Sequence, residues 1–271
     1  MNERELRMVE TLIDLRENHG VNGIKAELEA EGTRPEELIR LKDVIMHAGL
    51  GLTLKVGGGE DKNGMALAKL VGVDRVIAPM IETAYALQKS IGAFRAICDD
   101  QIGVLFAVNV ETITGFANFE EMLTVSGIET LSGIVLGRVD LSGSMGLSRD
   151  DINSHPEIKR VAKELYTKAK AAGLETAMGG GVSKDTLPFI DELGPGLLDR
   201  YETRKVIFAC PGGIPLPGAD EGILKANLFE LEWLENKADL YGCISCEDAA
   251  RIKMLTDRRS KLLGNKVNVT S

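Results

Sequence analysis

The feature that most constrains this chain is an alternation. Short apolar, β-branched runs recur between longer stretches of helical period, which is the pattern a parallel α/β fold requires. "GIKAELE" (23–29), "LTLKV" (52–56), "RVIAPM" (75–80), "VLFAVNV" (104–110), "GIVLGRVD" (133–140) and "LETAM" (174–178) read as strands, and a seventh lies within "LLDRYETRKVIF" (197–208). The helices carry start and stop signals. Thr33 with Glu36 spells a capping box before "EELIRLKDVIMHAG", and Ser154 with Glu157 another before "IKRVAKELYTKAKAAG", whose Ile158, Val161, Leu165 and Ala169 form one apolar stripe. These helices stop at Gly49 and Gly173, and the chain opens on a further helix, "ERELRMVETLIDLRENHG".

So many βα units in about 200 residues, without a break in composition, suit a TIM-type (β/α) barrel better than a doubly wound sheet. No G-x-G-x-x-G opens a helix after the first strand, which removes the main support for a dinucleotide-binding fold. The eighth strand is the open element: it comes from 205–210, from elsewhere, or is absent. Past 210 the pattern changes to a Pro/Gly loop, "CPGGIPLPGADEG", and two helical segments, "ILKANLFELEWLENK" and "EDAARIKMLTDRRSKLL". The chain therefore reads as a barrel over 1–210, including the N-terminal helix, and a C-terminal helical extension over 211–271. Ile223, Leu224, Leu228, Leu231 and Leu234 need cover from the barrel or from a partner subunit, which points to a homo-oligomer through the C-terminal helices. If the last strand runs parallel to the rest, the loop 211–222 leaves from the catalytic face, as a lid or as a plain connector.

Charge narrows the partners. With 41 acidic and 32 basic side chains the net charge is −9, and no basic patch reverses it, so nucleic acid and anionic membrane surfaces are excluded as partners. No apolar run approaches the ~20 residues that span a bilayer, and a cytoplasmic location is expected. The four cysteines, including Cys243-x-x-Cys246, lack the companion pair of a zinc site and the βαβ setting of a redox motif, and read as packing thiols. Phe229 and Trp233 read as packing on the C-terminal helix. The Gly-rich runs "KVGGGEDKNG" and "AMGGGVSKDT" read as tight turns, the alternative being a phosphate or carboxylate contact, for which the second is the better placed.

In a parallel barrel the carboxyl ends of the strands converge on one pocket. The polar residues there are Glu27, Glu29, Glu31, Lys55, Glu82, Glu111, Arg138, Asp140, Glu202 and Arg204. Glu111 closes "VLFAVNVE" and Asp140 closes "IVLGRVD", so neighbouring strands each present a carboxylate. Two carboxylates without Cys or His make a hard oxygen site suited to Mg²⁺ or Mn²⁺, the alternative being two surface acids or ion-pair partners. His19, His47 and His155 all fall in helices or caps, which disfavours zinc.

The segments "VNVETITGFANFEEMLTVSGIETLSGIVLGRVDLSGSMG", "VIAPMIET" and "SHPEIKRVAKELYTKAKAAG" resemble the HpcH/HpaI aldolase and citrate lyase β-subunit family of the phosphoenolpyruvate/pyruvate barrel superfamily, over roughly 20–205. The resemblance implies a divalent metal on Glu111 and Asp140 that chelates a small 2-oxo acid such as pyruvate. It also implies backbone N–H groups from Val139 to Leu141, beside Ser142, for the substrate carboxylate. Two departures stand out. Lys55 occupies the place of an Arg that touches the enolate oxygen, and the Asp-x-Glu-His run becomes Glu27, Leu28, Glu29, Ala30, without the acid/base His. Glu29 and Glu31 remain as acid/base candidates, and Arg138 replaces a small apolar residue, implying an added anionic group on the substrate. The expected function is a metal-dependent carbon–carbon lyase or aldolase. The alternatives are an acyl-CoA lyase of the citrate lyase β type and a non-catalytic ligand-binding or assembly barrel.

Overall fold

In the computed structural model, residues 1–98 and 103–267 are described, with side chains described as far as 260. The elements in chain order are α1 (Glu3–Asn18), β1 (Val21–Glu27), α2 (Pro35–His47), β2 (Gly51–Lys55), α3 (Lys62–Val71), β3 (Arg75–Ala78), α4 (Ala84–Cys98), β4 (Leu105–Asn109), α5 (Ile113–Ala117), α6 (Phe119–Met122), β5 (Leu131–Gly137), α7 (Arg138–Ser144), α8 (Pro156–Ala171), β6 (Glu175–Gly179), α9 (Leu187–Leu193), β7 (Arg200–Glu202), β8 (Val206–Ala209) and α10 (Ala219–Val267). The strands close into a barrel in sequence order, β1 through β7 parallel and β8 antiparallel to both its neighbours.

The reversal at β8 corrects the single last strand expected over 197–208. Only Thr203, Arg204 and Lys205 separate β7 from β8, whereas a parallel return needs about a dozen residues of crossover, so the chain must turn back as a hairpin. Thr203 closes the turn: its N–H donates to Val206 O (2.9 Å) and its Oγ1 accepts from Val206 N–H (3.1 Å). The eighth strand thus exists, within the 205–210 window. Because β8 runs backwards, the loop after it leaves from the amino-terminal mouth and is not a lid over the carboxyl-terminal one. Ala209 N–H donates to Gly20 O there, and His19 Nδ1 lies 3.1 Å from Gly218 O.

Neither α2 nor α8 starts at the expected capping pair. The N-cap of α2 is Arg34, whose N–H donates to Glu37 Oε2, and the N-cap of α8 is His155, whose Nδ1 accepts from Glu157 N–H. In each case a Pro at the first helical position pushes the start one residue beyond the Thr or Ser. Ile158, Val161, Leu165 and Ala169 are all fully buried, as the stripe requires. The barrel axis is plugged by Ile77, Ala107, Val135 and Ala177, one inward residue from each of β3 to β6.

The two expected C-terminal helices are one continuous helix, α10. Their separator, "ADLYGCISC", holds a single Gly and no Pro, too weak a breaker to end a helix. The chain divides into two compact units, Met1–Glu230 and Leu231–Ser271. Ile223, Phe229 and Trp233 are buried, while Leu224, Leu228, Leu231 and Leu234 are exposed. Cys98 and Cys210 are buried packing thiols, but Cys243 and Cys246 are exposed, against expectation. Among the described residues no helix is long and apolar enough to cross a membrane.

Candidate active site

A cavity of about 380 Å³ opens at the carboxyl-terminal mouth of the barrel, in the first compact unit. β1 contributes Lys25 and Glu27, the loop after it Glu29 and Ala30, β2 Lys55, β4 Asn109, β5 Val135 and Gly137, and α7 Val139 and Asp140. Gly179 to Val182 follow from β6, Glu202 to Arg204 from β7 and its turn, Asn227 and Glu230 from α10, and Arg149 from the loop after α7. Six carboxylates (Glu27, Glu29, Glu111, Asp140, Glu202, Glu230) face four cations (Lys25, Lys55, Arg149, Arg204), an excess of two negative charges.

Glu111 is the most enclosed acid, 2 % exposed. Its Oε1 accepts from Met80 N–H (3.1 Å) and its Oε2 from Asn109 Nδ2 (2.9 Å), while Lys55 Nζ stands 3.9 Å from Oε1. Burial raises its pKa, the Asp140 charge adds to the rise, and Lys55 and the two hydrogen bonds oppose it. Gly137 faces this carboxylate, and a Cβ there would collide with Glu111 Oε2, so the side chain that Gly137 lacks is the space Glu111 fills.

Asp140 is not on β5, as expected, but in the first turn of α7, because the strand ends at Gly137 and the chain turns directly into a helix. It nevertheless borders the same cavity as Glu111. The turn also orients Val139, whose N–H belongs to the first helical turn and has no intrahelical acceptor. Gly180 lies against it with φ +78°, and a Cβ there would sit 2.7 Å from both Arg138 N and Val139 N. The two backbones therefore pack closely there, with Gly180 and Val139 both bordering the cavity.

Several expected residues are placed elsewhere. Arg138 is fully buried and outside the cavity: its guanidinium donates to Gly179 O, Gly180 O, Ile152 O, Asn153 Oδ1 and Thr186 Oγ1 and lies 5.0 Å over the Phe189 ring. It cannot meet a substrate anion; it fixes the β6 loop that carries Gly180. Leu141 and Ser142 are buried behind Val139, with Ser142 Oγ donating to Val139 O. Glu31 is also outside the cavity, its Oε2 accepting from Lys205 Nζ (2.5 Å), Glu27 N–H (3.1 Å) and Thr33 Oγ1 (3.2 Å). Glu29 stays, 3.3 Å from Lys55 Nζ. Of the two glycine runs only 179–181 borders the cavity.

Two features escaped the sequence reading. Asn109, two residues before Glu111 and on the same face, holds that carboxylate, and its own buried Oδ1 has no partner. Lys25, 8 % exposed at its side chain, lies 2.5 Å from Glu202 Oε1 and 2.9 Å from Glu27 Oε1, and Arg204 Nη1 reaches Glu27 Oε2 at 3.2 Å. Burial would raise the Glu27 pKa, but Lys25, with Lys55 and Arg204, holds it below the ordinary 4.5. The period-2 spacing of Lys25 with Glu27 was the available signal.

A closed eight-stranded barrel whose strand ends converge acids, an amide and a glycine turn on one cavity defines a TIM-barrel protein with a candidate site at the carboxyl-terminal mouth. The sequence profile of the HpcH/HpaI aldolase/citrate lyase family matches residues 37–183, more than half of the chain, and the chain belongs to that family. Among curated proteins it is similar to a hydroxypyruvate/pyruvate aldolase of Roseobacter denitrificans, at 28% identity over 138 residues. It is also similar to a 2-keto-3-deoxy-L-rhamnonate aldolase of Klebsiella pneumoniae, at 26% over 129 residues. These matches cover 41% and 38% of this chain and 52% and 46% of those proteins, so the chain spans about half the length of the relatives it matches.

Solved structures of the same fold include an HpcH/HpaI aldolase from Desulfitobacterium hafniense, with TM-score 0.57 and 13% identity over 72% of this chain and 82% of that one. A family protein from Burkholderia cenocepacia gives TM-score 0.56 and 16% identity over 83% and 99% of the two chains.

Proposed function

We propose that this protein makes or breaks a carbon–carbon bond at the carbon adjacent to the oxo group of a small 2-oxo acid, with a divalent cation, Mg²⁺ or Mn²⁺, at its centre. The observation that carries the reading is the convergence of Glu111 and Asp140 on one cavity with two surplus negative charges. The donor set fits such an ion. Both candidate ligands are hard oxygens, and Asn109 Oδ1, lining the same cavity, is buried without a partner. Two carboxylates with the remaining positions left to water and substrate is the way Mg²⁺ is commonly held.

The cation, when bound, supplies Lewis-acid stabilisation of the negative charge that develops on the 2-oxo oxygen. The chain's own residues do the rest. Asn109 and Met80 N–H fix the Glu111 carboxylate in one orientation. The backbone N–H groups of the first turn of α7, at Val139 and Asp140 on the cavity wall, receive the substrate carboxylate, and Arg138 fixes the Gly180 loop beside them from behind. Lys55 Nζ is directed at the same oxygen-rich centre and adds positive charge where the oxo oxygen lies. Glu29 Oε2, 3.3 Å from Lys55 Nζ, is the proton acceptor for the substrate hydroxyl, in a site where Ala30 stands in place of the family His. Exposed Leu224 and Leu228 on α10 support self-association through that helix.

The test is exchange of the pyruvate methyl protons in deuterated water, followed by ¹H NMR with added Mg²⁺. Exchange that is lost in Glu111→Gln and Asp140→Asn is expected. Tight, metal-dependent pyruvate binding with no exchange would instead make the protein a binding barrel.

A further inference from the structure

The amino-terminal mouth of the barrel holds a second cluster of charge. Arg75 of β3 and Glu175 of β6 stand two residues before Ile77 and Ala177, on the same inward face, so the apolar plug separates them from the cavity described above. Arg200 of β7 joins them, two residues before Glu202. The carboxylate of Glu175 is shared between two guanidinium groups: Arg75 Nη2 donates to Oε2 at 2.6 Å, and Arg200 Nε approaches Oε1 at 2.7 Å.

Two cations thus share one anion while nearly shut off from solvent, Arg75 being 6 % and Arg200 8 % exposed. Arg75 Nη1 is buried and has no hydrogen-bond partner, and Arg200 Nε lacks hydrogen-bond geometry toward Glu175 despite its proximity. Buried polar groups are nearly always satisfied, and unsatisfied donors of this kind call for an acceptor. Both guanidinium groups border a cavity of about 160 Å³, lined also by Gly23, Gly51 and Thr53. Asp74, the other acid at the rim, is committed: its Oδ2 accepts from Leu52 N–H (2.7 Å) and lies 3.3 Å from Lys42 Nζ. The cluster keeps one uncompensated positive charge.

We propose that this mouth binds a small oxyanion between Arg75 and Arg200. Carboxylate and phosphate oxygens match the planar donor fork of Arg, and a second guanidinium facing the same space supplies the opposing contact. Occupancy ties together β3, β6 and β7 at the end of the barrel away from the chemistry. The site is independent of the lyase reading, sharing no residue with the carboxyl-terminal cavity.

Orthophosphate is the probe, titrated into the full chain at fixed ionic strength and followed by ³¹P line width and by thermal unfolding. Saturable binding with Kd on the order of 1 mM and a rise in melting temperature are expected. Arg75→Lys keeps the charge and a partner for Glu175 but has no atom at the Nη1 position, and should weaken binding about tenfold or more. If that variant does not fold, Gly23→Val gives the same readout. A Cβ at Gly23 meets only ordinary contacts, 3.5 Å from Gly51 O and Ile207, and the added side chain narrows the cavity. Arg204→Ala, at the opposite mouth, should leave the affinity unchanged. No saturable binding, or equal affinity in the Arg75 or Gly23 variant, overturns the proposal. So does loss in Arg204→Ala with retention in Arg75→Lys, which would place the anion at the other mouth.

Discussion

Replacing Lys25 by Met removes the cation that holds two buried acids together. Its ammonium lies 2.5 Å from Glu202 and 2.9 Å from Glu27, and all three side chains are less than a tenth exposed. At an effective dielectric near 20, a unit pair at about 3 Å is worth roughly 5 kcal/mol before the cost of desolvation. Deleting one partner of such a pair generally costs about 3–5 kcal/mol, because a charge is left buried and unpaired. Here two acids are left facing each other. Arg204 reaches only Glu27 and is 46% exposed at its side chain, so it recovers little. The expected destabilisation is therefore at least ~3 kcal/mol, a fall of roughly 10 °C in melting temperature for a barrel of this size, read by calorimetry. Adding Glu202→Gln to Lys25→Met removes one of the stranded charges and should restore about 1 kcal/mol or more. A single variant costing under about 1 kcal/mol, or a double variant showing no recovery, would refute the view that this ladder supports the floor of the cavity.

Three further outcomes follow from the same geometry. Gly180→Ala puts a methyl group 2.7 Å from two backbone nitrogens at φ +78°, and pyruvate affinity by calorimetric titration should fall ~10- to 100-fold as the first turn of α7 shifts. Arg138→Met strips hydrogen bonds from the carbonyls of Gly179, Gly180 and Ile152; urea unfolding should show a loss of about 2–4 kcal/mol, and an unchanged midpoint would count against a positioning role. The Glu27 carboxyl titrates below 4.5 in the fold, so its contribution to stability is present above that pH and is lost as pH falls through its folded value. Glu27→Gln should accordingly be less stable than the parent near neutrality and converge with it in acid.

Much of the barrel was legible because its strands are apolar and its helices strongly periodic. Glu111 was visible as the polar end of such a run, and it borders the cavity at the mouth where strand polarity points. What failed was local. "LLDRYETRKVIF" hides a hairpin because its turn, Thr203 to Lys205, contains no Gly, Asn or Pro, and the hydroxyl of Thr203 takes over the closing contact. "GRVDLSGSMG" reads as a strand end, yet after Gly137 the chain starts a helix, which carries Arg138 behind the site while Asp140 turns toward it. Arg138 was misread for a general reason: a buried arginine satisfied by carbonyls looks in sequence like one waiting for an anion. Lys25 was passed over because its partner Glu202 is remote in the chain, and only barrel closure brings them together.

The central claim is that Glu111 and Asp140, from different segments, hold one divalent ion. Titrating Mn²⁺ into the protein and following the free-ion EPR signal tests it most directly. One site per chain is expected, with Glu111→Gln and Asp140→Asn each weakening it at least about tenfold. An affinity unchanged by either substitution would contradict the claim.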